Sequence, residues 1–522
     1  MYFGCIADDF TGAGDAASFL QKGGMRVLLV NGIPGKQGKD GFGDGADGVR
    51  GKDGLPEGAE RDRFVESVET DEPWDNLLEN IDAVVIALKS RALEAREAAD
   101  QTEAAARWLV EEGAEQIYVK YCSTFDSTEK GNIGPVCDRL VQWTGQRFTL
   151  LCPSLPANRR TVKDGILYVD GVPLAESPMR FHPVNPMKQS RIKDLMEMQS
   201  QYPCHEMGNS FAGYMEAGQK RVGEENSDHY YLIPDYETEK DGQAIAREFG
   251  TLRLLTGGSG LCEALAEYHT GRKGALNREH TGKNGTVGIS PERLPKCREE
   301  ESGGKKKKLL ILAGSCSKAT RRQIEAWQQA GKRCVRIDPE ELLEDFSVLD
   351  QAKRKIREME GELLVYSVRL SGDEAGKCGD KEAADGARVS RETAGGVGAD
   401  GGAADGARMD REPTDGVRAT RCEPEGKTPD SQWEKSSVLD RAFSQLALYG
   451  TCCGCERLIV AGGETSGAVT RALGYRAFYV GASIAPGVPV LTPTENPGMR
   501  LVLKSGNFGG ELFFQEAKEA IS

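Results

Sequence analysis

Short apolar runs alternate with amphipathic, helix-like stretches through the first 150 residues of the chain. The apolar runs predict β-strands at residues 2–7, 25–30, 82–88, 116–121 and 148–152. Apolar positions at helical spacing predict helices at residues 14–22, 94–112 and 132–143. Near-continuous apolar strands between amphipathic helices are typical of a parallel sheet covered on both faces. Residues 166–174, with Asp170-Gly171 in the middle, predict a β-hairpin appended to that sheet.

The same alternation starts again near residue 308. It predicts strands at residues 309–313, 334–337, 363–368, 458–461, 478–480 and 501–504, and a last helix from about residue 511. A chain of 522 residues exceeds what one hydrophobic core usually serves. We therefore predict two α/β domains with mostly parallel sheets, at residues 1–275 and 305–522, separated by the polar stretch 272–307. The strand-like residues 230–234 and 252–256 fit either domain.

Two segments have a biased composition. Residues 35–60 are rich in Gly, Asp and Lys, and residues 371–435 are rich in Gly, Ala, Asp, Glu and Arg. Neither segment can bury enough apolar surface to offset the entropy of ordering its chain. We expect both to be disordered surface insertions without a catalytic role.

Composition narrows the choice of partners and compartment. A formal net charge of −14 argues against nucleic acid or an anionic membrane as the main partner. No apolar stretch approaches the roughly 20 residues of a membrane span, and the chain starts directly with a strand pattern, so we expect a cytoplasmic protein. The 14 cysteines are scattered through core-like runs and lack paired zinc-ligand spacing. A metal ion would therefore arrive with a nucleotide.

The first polar strand end is residues 8–15, of sequence DDFTGAGD, which open a helix. Ligands of open α/β sheets bind at the carboxyl ends of strands, so a carboxylate here could act as a general base or accept a substrate hydroxyl. Because Asp8 and Asp9 are adjacent, we expect their side chains to point to different sides, with at most one facing the ligand. The alternative is that an aspartate only caps the helix.

Two further strand ends carry candidate substrate-binding residues. Ser90 and Arg91 follow the strand at residues 82–88, and arginine suits bidentate recognition of a carboxylate; a solvated surface arginine is the alternative. Residues 120–128, KYCSTFDST, place Lys120, Ser123 and Asp126 between a buried strand and a helix. Buried polar groups need partners, which favours a substrate site over a structural turn.

Four glycine-containing turns follow strands, at residues 256–261 (TGGSGL), 313–317 (AGSCS), 462–467 (GGETSG) and 504–510 (KSGNFGG). Such turns let backbone N–H groups and helix N-termini approach an anion. Together they predict binding of a polyphosphate and its nucleoside. No Walker A sequence is present, which excludes a P-loop fold, and no dinucleotide-binding glycine pattern follows a strand with an acidic partner.

Taken together, these stretches resemble the four-carbon acid sugar kinase family over nearly the whole chain apart from the two biased segments. The resemblance is carried by residues 7–12, 120–132, 153–165 with the following hairpin, 182–187, 257–261, 462–469 and 504–509. The form CSTFDS at residues 122–127 is similar to the 3-oxo-tetronate kinase branch. The threonate and erythronate kinases more often carry the pattern KxDSTLRGN there.

The resemblance implies transfer of a phosphoryl group from ATP, with Mg²⁺, to the 4-hydroxyl of a four-carbon acid sugar. A 3-oxo-tetronate is the favoured substrate; D-threonate or D-erythronate, another small acid or polyol, or a non-catalytic sensor of a sugar acid or nucleotide are the alternatives. The N-terminal domain would hold the acid sugar and the C-terminal domain the nucleotide, with the active site in the interdomain cleft. A homodimer is left open.

The resemblance also implies individual contacts. Those to ATP fall on Ser259, Gly462, Gly463, Glu464, Thr465 and Gly506. Those to the substrate fall on Ser90, Arg91, Lys120, Ser123 and Asp126, together with Asp8 or Asp9. Either Arg91 or Lys120 could hold the substrate carboxylate, and Asp9 is preferred over Asp8 as proton acceptor. Glu464 or a strand-end aspartate could organise Mg²⁺ through water, and no direct protein ligand to a metal is predicted.

Overall fold

The computed structural model describes residues 1–35, 74–125, 128–181, 185–209, 211–215, 227–281, 307–370 and 429–522. Asp126 and most of the two biased segments, predicted at residues 35–60 and 371–435, lie outside the described residues, as does most of the predicted boundary at 272–307. Within the described part of the chain, no helix combines the length and the apolar character that crossing a membrane would require.

The described residues form strands that we number in chain order. They are β1 (Phe3–Ala7), β2 (Val27–Asn31), β3 (Ala83–Ala87), β4 (Gln116–Lys120), β5 (Phe148–Leu150), β6 (Arg160–Lys163), β7 (Ile166–Val169), β8 (Val172–Pro173), β9 (Cys204–Gly208), β10 (Tyr230–Pro234), β11 (Leu254–Gly257), β12 (Lys308–Ala313), β13 (Cys334–Arg336), β14 (Glu362–Tyr366), β15 (Cys455–Ala461), β16 (Ala477–Ala485), β17 (Val488–Pro493) and β18 (Arg500–Lys504).

The α-helices of the described residues are numbered in the same way. They are α1 (Phe10–Lys22), α2 (Trp74–Leu78), α3 (Ala95–Glu111), α4 (Ile133–Thr144), α5 (Ile192–Glu197), α6 (Glu239–Phe249), α7 (Gly260–Thr281), α8 (Lys318–Gln329), α9 (Pro339–Glu344), α10 (Leu349–Glu358), α11 (Pro429–Cys452), α12 (Gly463–Leu473) and α13 (Phe513–Ala520).

Among the described residues, twelve strands form one sheet in the order β11-β4-β1-β3-β2-β16-β17-β18-β15-β12-β14-β13. The strands from β11 to β2 are parallel to each other, and so are those from β18 to β13. Antiparallel pairing of β2 with β16, β16 with β17 and β17 with β18 joins the two sets. The α/β class with a mostly parallel sheet is confirmed, but the sheets of the two halves are continuous at the edge formed by β2.

The inner strands are apolar on both faces because helices cover both faces of the sheet. All five residues of β1 are buried, as are those of β3, and the last five residues of β15. Helix α1 packs against α7, α12 and β16 and so touches elements of both halves. At this junction the rings of Phe10 and Phe478 lie edge to face, with centroids 6.0 Å apart.

The structure differs from the predicted elements in four places. The strand predicted at residues 148–152 is β5, which pairs with β10 in a separate three-stranded sheet, and the predicted hairpin belongs to another three-stranded sheet, β6-β7-β8. Strand β17 was not predicted because Pro489 and Pro493 argue against a central strand, yet both lie near its ends. The segment predicted as an insertion up to residue 435 ends earlier, since α11 begins at Pro429.

The chain divides into two compact units. One comprises Met1–Val368 and Glu434–Ser522, and therefore includes both the N-terminal and the C-terminal halves of the large sheet. The other comprises Arg369–Trp433, of which only residues 369, 370 and 429–433 are described. All site residues discussed below belong to the first unit.

Candidate active site

Asp8 and Asp9, at the end of β1, both bind Arg91, which lies beyond the end of the neighbouring strand β3. Arg91 donates from Nε and Nη2 to the two carboxylate oxygens of Asp8, both at 2.8 Å, and its Nη1 pairs with Asp9 Oδ2 at 2.6 Å. The backbone N–H groups of Ser90 and Arg91 also donate to the carbonyl oxygen of Asp8. The expectation that the two aspartates face different sides was therefore wrong: both carboxylates reach the same guanidinium group.

Asp9 also caps helix α1. Its carboxylate accepts a hydrogen bond from the backbone N–H of Gly12, so one unpaired donor of the first helical turn is satisfied. Desolvation alone would raise the pKa of Asp9, but the charges of Arg91 and Lys120 outweigh it and hold the pKa below its ordinary value. Asp9 is consequently an ionised carboxylate at neutral pH.

Lys120, at the end of β4, supplies a second cation to this cluster and is buried. Its side chain is only 4% exposed, and its ammonium group lies against Gly12, where a side chain would collide with it. Burial would lower the pKa of Lys120, but the charges of Asp8, Asp9 and Asp15 outweigh it and raise the pKa. The cluster thus contains three carboxylates, those of Asp8, Asp9 and Asp15, and two cations, Arg91 and Lys120.

A water-sized cavity of about 20 Å³ adjoins these charges and is lined by Asp8, Ser90, Lys120 and Asn132 among others. Asn132 fixes its rim, because Nδ2 donates to the carbonyl oxygens of Ser90 at 2.8 Å and Leu93 at 3.0 Å. Ser123 lies in the turn after β4, at the same sheet edge as Lys120. Asp126 cannot be placed because it lies outside the described residues.

Ser259, predicted to contact ATP, is fully buried and donates its hydroxyl hydrogen to Asp15 of helix α1. Burial raises the pKa of Asp15, and the other oxygen of that carboxylate has no hydrogen-bond partner among the described residues. That oxygen lies against Gly487, whose φ of +79° and missing side chain allow the close approach. Gly487 in turn lies against Phe508, two residues after Gly506, so Ser259 reaches the Gly506 turn only through other residues.

The other predicted ATP contacts are brought together by the pairing of β15 with β18. Gly462 follows β15 with a φ of +132°, which favours glycine, and its backbone N–H donates to the carbonyl oxygen of Lys504 at 2.9 Å. Helix α12 then begins at Gly463. Its first turn carries Glu464, which accepts from Ser436 at 2.6 Å, and Thr465, which donates to Asp440 at 3.3 Å. Unpaired N–H groups at such a helix start suit a phosphate group.

Gly506 lies in a turn, and its carbonyl oxygen is bound by three side chains, two of which, Thr320 and Lys504, are buried. Its carbonyl oxygen accepts from Ser317 Oγ at 2.6 Å, Thr320 Oγ1 at 2.9 Å and Lys504 Nζ at 3.1 Å. Lys504 is fully buried, and burial lowers its pKa to about 7. A side chain at Gly506 would collide with Ser315. The turn is therefore fixed in place beside the start of α12.

The two halves of the site meet at the starts of α1 and α12. A side-chain carbon built on Gly463 would lie 3.5 Å from Thr11 Oγ1, so the first turns of the two helices are in contact. Lys89, which precedes Ser90, is electrostatically coupled to Arg471, Asp440 and Glu464 of the C-terminal half. The Asp9 carboxylate and the predicted phosphate site thus lie on adjoining helix starts.

Sequence reasoning missed several residues of this site. Asn132 and Asp15 lie within stretches that we singled out, but nothing in the local pattern gave them a role. Asp440 comes from the middle of α11, Arg471 from the third turn of α12 and Lys504 from a buried strand end. Their positions follow only from tertiary packing, so no spacing rule in the sequence could reveal them.

Family models match both halves of the chain. A sugar-binding N-terminal domain matches residues 3–265, and a nucleotide-binding C-terminal domain matches residues 310–398 and 407–514. The 3-oxo-tetronate kinase of Pseudomonas fluorescens is 34% identical over 516 residues, covering 98% of this chain and 96% of its own. The chain belongs to the four-carbon acid sugar kinase family. It is therefore similar over its full length to enzymes that transfer phosphoryl groups.

Further members of the family match equally completely. The 3-oxo-tetronate kinase of Salmonella typhimurium is 33% identical and covers 99% of both chains, and that of Brucella melitensis is 32% identical and covers 99% of this chain and 95% of its own. A solved structure from Salmonella typhimurium has a TM-score of 0.67 at 29% identity and covers 100% of both chains. One from Haemophilus influenzae has a TM-score of 0.61 at 29% identity, covering 99% of this chain and 100% of its own.

Proposed function

We propose that this four-carbon acid sugar kinase transfers the γ-phosphoryl group of ATP to the 4-hydroxyl of a 3-oxo-tetronate. The contact between Thr11 in the first turn of α1 and Gly463 in the first turn of α12 carries the proposal. It brings a cluster of carboxylates and cations next to a helix start suited to phosphate. The names of the full-length relatives supply the substrate class.

In the proposed reaction the 4-hydroxyl oxygen attacks the γ-phosphorus atom. The new bond from that oxygen to phosphorus forms as the bond from the γ-phosphorus to the bridging β–γ oxygen breaks, and ADP leaves with the electron pair. The hydroxyl proton passes to Asp9, an ionised carboxylate at the junction of the two halves. Most of the acceleration comes from positioning and charge stabilisation, as in other phosphoryl transfers.

The substrate carboxylate is best assigned to Arg91. This side chain is 31% exposed, whereas Lys120 is almost fully buried. Three of the five guanidinium N–H groups of Arg91 are used by Asp8 and Asp9, which leaves two for a ligand. Lys120 instead stabilises the negative charges of Asp9 and Asp15 from the protein interior.

Mg²⁺ fits beside the start of α12. Asp440 lies close to Glu464 there, because the neighbouring Thr465 donates to Asp440 at 3.3 Å. Burial, followed by the charge of Glu464, raises the pKa of Asp440 to about 6. Two carboxylates suit a nucleotide-borne Mg²⁺, which usually takes one or two carboxylates plus phosphate oxygens and water. The described residues contain no group of three or more His, Cys, Asp or Glu that could hold a metal without a nucleotide. The ion would neutralise phosphate charge when bound with ATP.

The test is an assay of ADP release coupled to product analysis by ³¹P NMR. We expect ADP release to require a 3-oxo-tetronate and the product to carry its phosphate on the 4-oxygen. Turnover on D-threonate or D-erythronate alone would reassign the substrate within the family. Nucleotide binding without turnover on any tetronate would indicate a sensor and refute the proposal.

A further inference from the structure

Two cations, Lys89 and Arg471, come from the two halves of the site and lie close enough for their charges to interact. Lys89 lies one residue before Ser90, in a segment that is tied to Asp8 by the backbone hydrogen bond from Ser90. Arg471 lies on α12, and its Nη1 is 3.2 Å from the position of a side-chain carbon at Gly467. Its guanidinium group therefore points back along α12 towards the helix start at Gly463.

Within the described part of the chain, neither cationic side chain has a counter-ion in direct contact. Neither makes a hydrogen bond, or an ion pair within 4.0 Å, with any described residue. Asp440 and Glu464 are the carboxylates that act on Lys89 electrostatically, and Asp440 acts on Arg471, but both lie beyond ion-pair distance from the two cations. Two like charges that repel each other, with no carboxylate in direct contact among the described residues, form an arrangement that suits an anionic ligand.

The pKa values of the two cations are consistent with an anion-binding site between the two halves. The charge of Arg471 is the largest cause that lowers the pKa of Lys89. Burial lowers the pKa of Arg471, and the charge of Asp440 offsets it only in part. A bound anion would relieve the repulsion and raise both pKa values.

We propose that Lys89 and Arg471, one from each half of the chain, together bind the terminal phosphoryl group of ATP. The inference rests on the proposed function and names the side chains that hold the transferred group. The start of α12 offers N–H groups to the phosphates, and Arg471 extends over Gly467 towards that start. Lys89 lies one residue before Ser90, whose backbone N–H donates to the carbonyl oxygen of Asp8. A γ-phosphate between them would lie where the two helix starts meet.

This arrangement stabilises charge during the transfer. The three peripheral oxygens of the γ-phosphoryl group remain anionic as it moves from ADP to the acceptor oxygen, and fixed cations beside them need little reorganisation. ADP lacks this group, so the pair should distinguish ATP from ADP. If either residue had a purely structural role, its substitution would weaken the binding of both nucleotides equally.

The experiment compares binding of a non-hydrolysable β,γ-imido analogue of ATP with binding of ADP, by titration calorimetry at fixed ionic strength. The variants are Lys89→Gln, Arg471→Gln and Arg471→Lys, and the control is Arg96→Gln, which removes a charge from a side chain that is 92% exposed on α3. We expect Lys89→Gln and Arg471→Gln to lower the affinity for the analogue by about tenfold or more, which corresponds to the loss of one charge-assisted hydrogen bond. ADP binding should change by less than about twofold in the same variants.

The outcomes separate this inference from the proposed function. An unchanged ratio of analogue to ADP affinity in both Gln variants, with wild-type turnover intact, overturns the role of the pair and leaves the kinase assignment standing. A wild-type protein that binds neither nucleotide refutes the proposed function and the inference with it. Because Lys89 is exposed, Lys89→Gln should fold even if Arg471→Gln does not. In Arg471→Lys, which keeps the charge, we expect part of the preference for the analogue to return.

Discussion

Asp9 serves both the local structure and the proposed chemistry. It caps α1 through the N–H of Gly12 and pairs with Arg91, and the same two interactions hold its carboxylate in a fixed orientation. A carboxylate in that position costs little to retain, because the helix start and the guanidinium group both favour its negative charge. The residue type that caps the helix is thus also the one that can accept a proton.

Asp9→Asn tests the role of base. An asparagine can still cap the helix, so we expect the protein to fold and to bind ATP normally while kcat falls by about 10²–10⁴-fold. The control is Asp170→Asn in the β7–β8 turn, which should leave kcat unchanged. A kcat near that of the wild type would remove Asp9 as the proton acceptor, and the measurement is the coupled ADP-release assay at saturating substrate.

A second prediction for a single residue concerns Lys504. Burial lowers its pKa from an ordinary 10.5 to about 7, so the unfolded chain binds more protons than the folded one between those values. Folding stability due to this residue therefore rises as the pH increases from about 7 towards 10.5 and is lowest below 7. The shift corresponds to a free energy on the order of 3–5 kcal/mol.

We expect Lys504→Met to raise the thermal unfolding midpoint relative to the wild type most strongly near pH 6.5 and progressively less towards pH 9.5. The lost hydrogen bonds to Thr320 and Gly506 oppose the gain by about 1 kcal/mol each at every pH, so the trend with pH is the diagnostic quantity. Lys318→Met, at the exposed start of α8, is the control. A difference between Lys504→Met and wild type that does not vary with pH would contradict a desolvated amine at residue 504.

Individual elements show where sequence reasoning succeeds and where it stops. The apolar strands β1, β3, β4, β12 and β15 were predicted within a few residues, because strands buried on both faces carry a strong apolar signal. β17 was missed because its prolines override that signal, and β5 was assigned to the wrong sheet because a strand pattern does not specify its neighbours. The start of α1 was placed at residue 14 because two glycines obscure the first turn, although Asp9 is a favourable cap.

The two glycines of the first half of α1 give a matched pair of substitutions. A side chain at Gly12 would collide with the Lys120 ammonium group and lie 2.6 Å from Asp9 Oδ1, whereas one at Gly14 meets nothing within 4 Å. We expect Gly12→Ala to displace Lys120 from the carboxylates and to lower kcat/KM by about tenfold or more, since overpacking of this kind costs about 1–3 kcal/mol. Gly14→Ala should keep the activity and stabilise the protein by about 0.5–1 kcal/mol.

The measurements are steady-state kinetics and thermal unfolding of both alanine variants. Equal activities in the two variants would show that Lys120 can move without consequence, and would argue against its role in holding Asp9. A destabilised Gly14→Ala variant would contradict the open space beside that residue.

At the scale of the whole molecule, the antiparallel strands β16 and β17 connect the two parallel sets. The sequence predicted two domains with a cleft between them, and the assignment of acid sugar to one half and nucleotide to the other came from the family resemblance. It could not show that β2 pairs with β16, because the pairing joins residues more than 400 positions apart. For the same reason, the proximity of Arg471 and Lys89 could not be predicted from local sequence patterns.

Continuity of the sheet has a consequence for unfolding. The backbone pairing of β2 with β16, and the packing of α1 against α12, should make the two halves unfold together rather than as independent domains. Phe478→Ala tests this coupling, because its fully buried ring lies on β16 and contacts Phe10 of α1. We expect the change to cost on the order of 3–5 kcal/mol and to lower one common transition in differential scanning calorimetry.

Phe181→Ala is the matched control, since that ring is 79% exposed and its loss should leave the transition unchanged. Hydrogen exchange followed by mass spectrometry can then locate the effect: peptides from β1 and from β15 should both lose protection in Phe478→Ala, because their strands belong to one sheet joined through β16. Two separate calorimetric transitions, with lost protection confined to the C-terminal half, would show that the halves fold independently. In that case the contact between the starts of α1 and α12 would contribute little to the stability of either half.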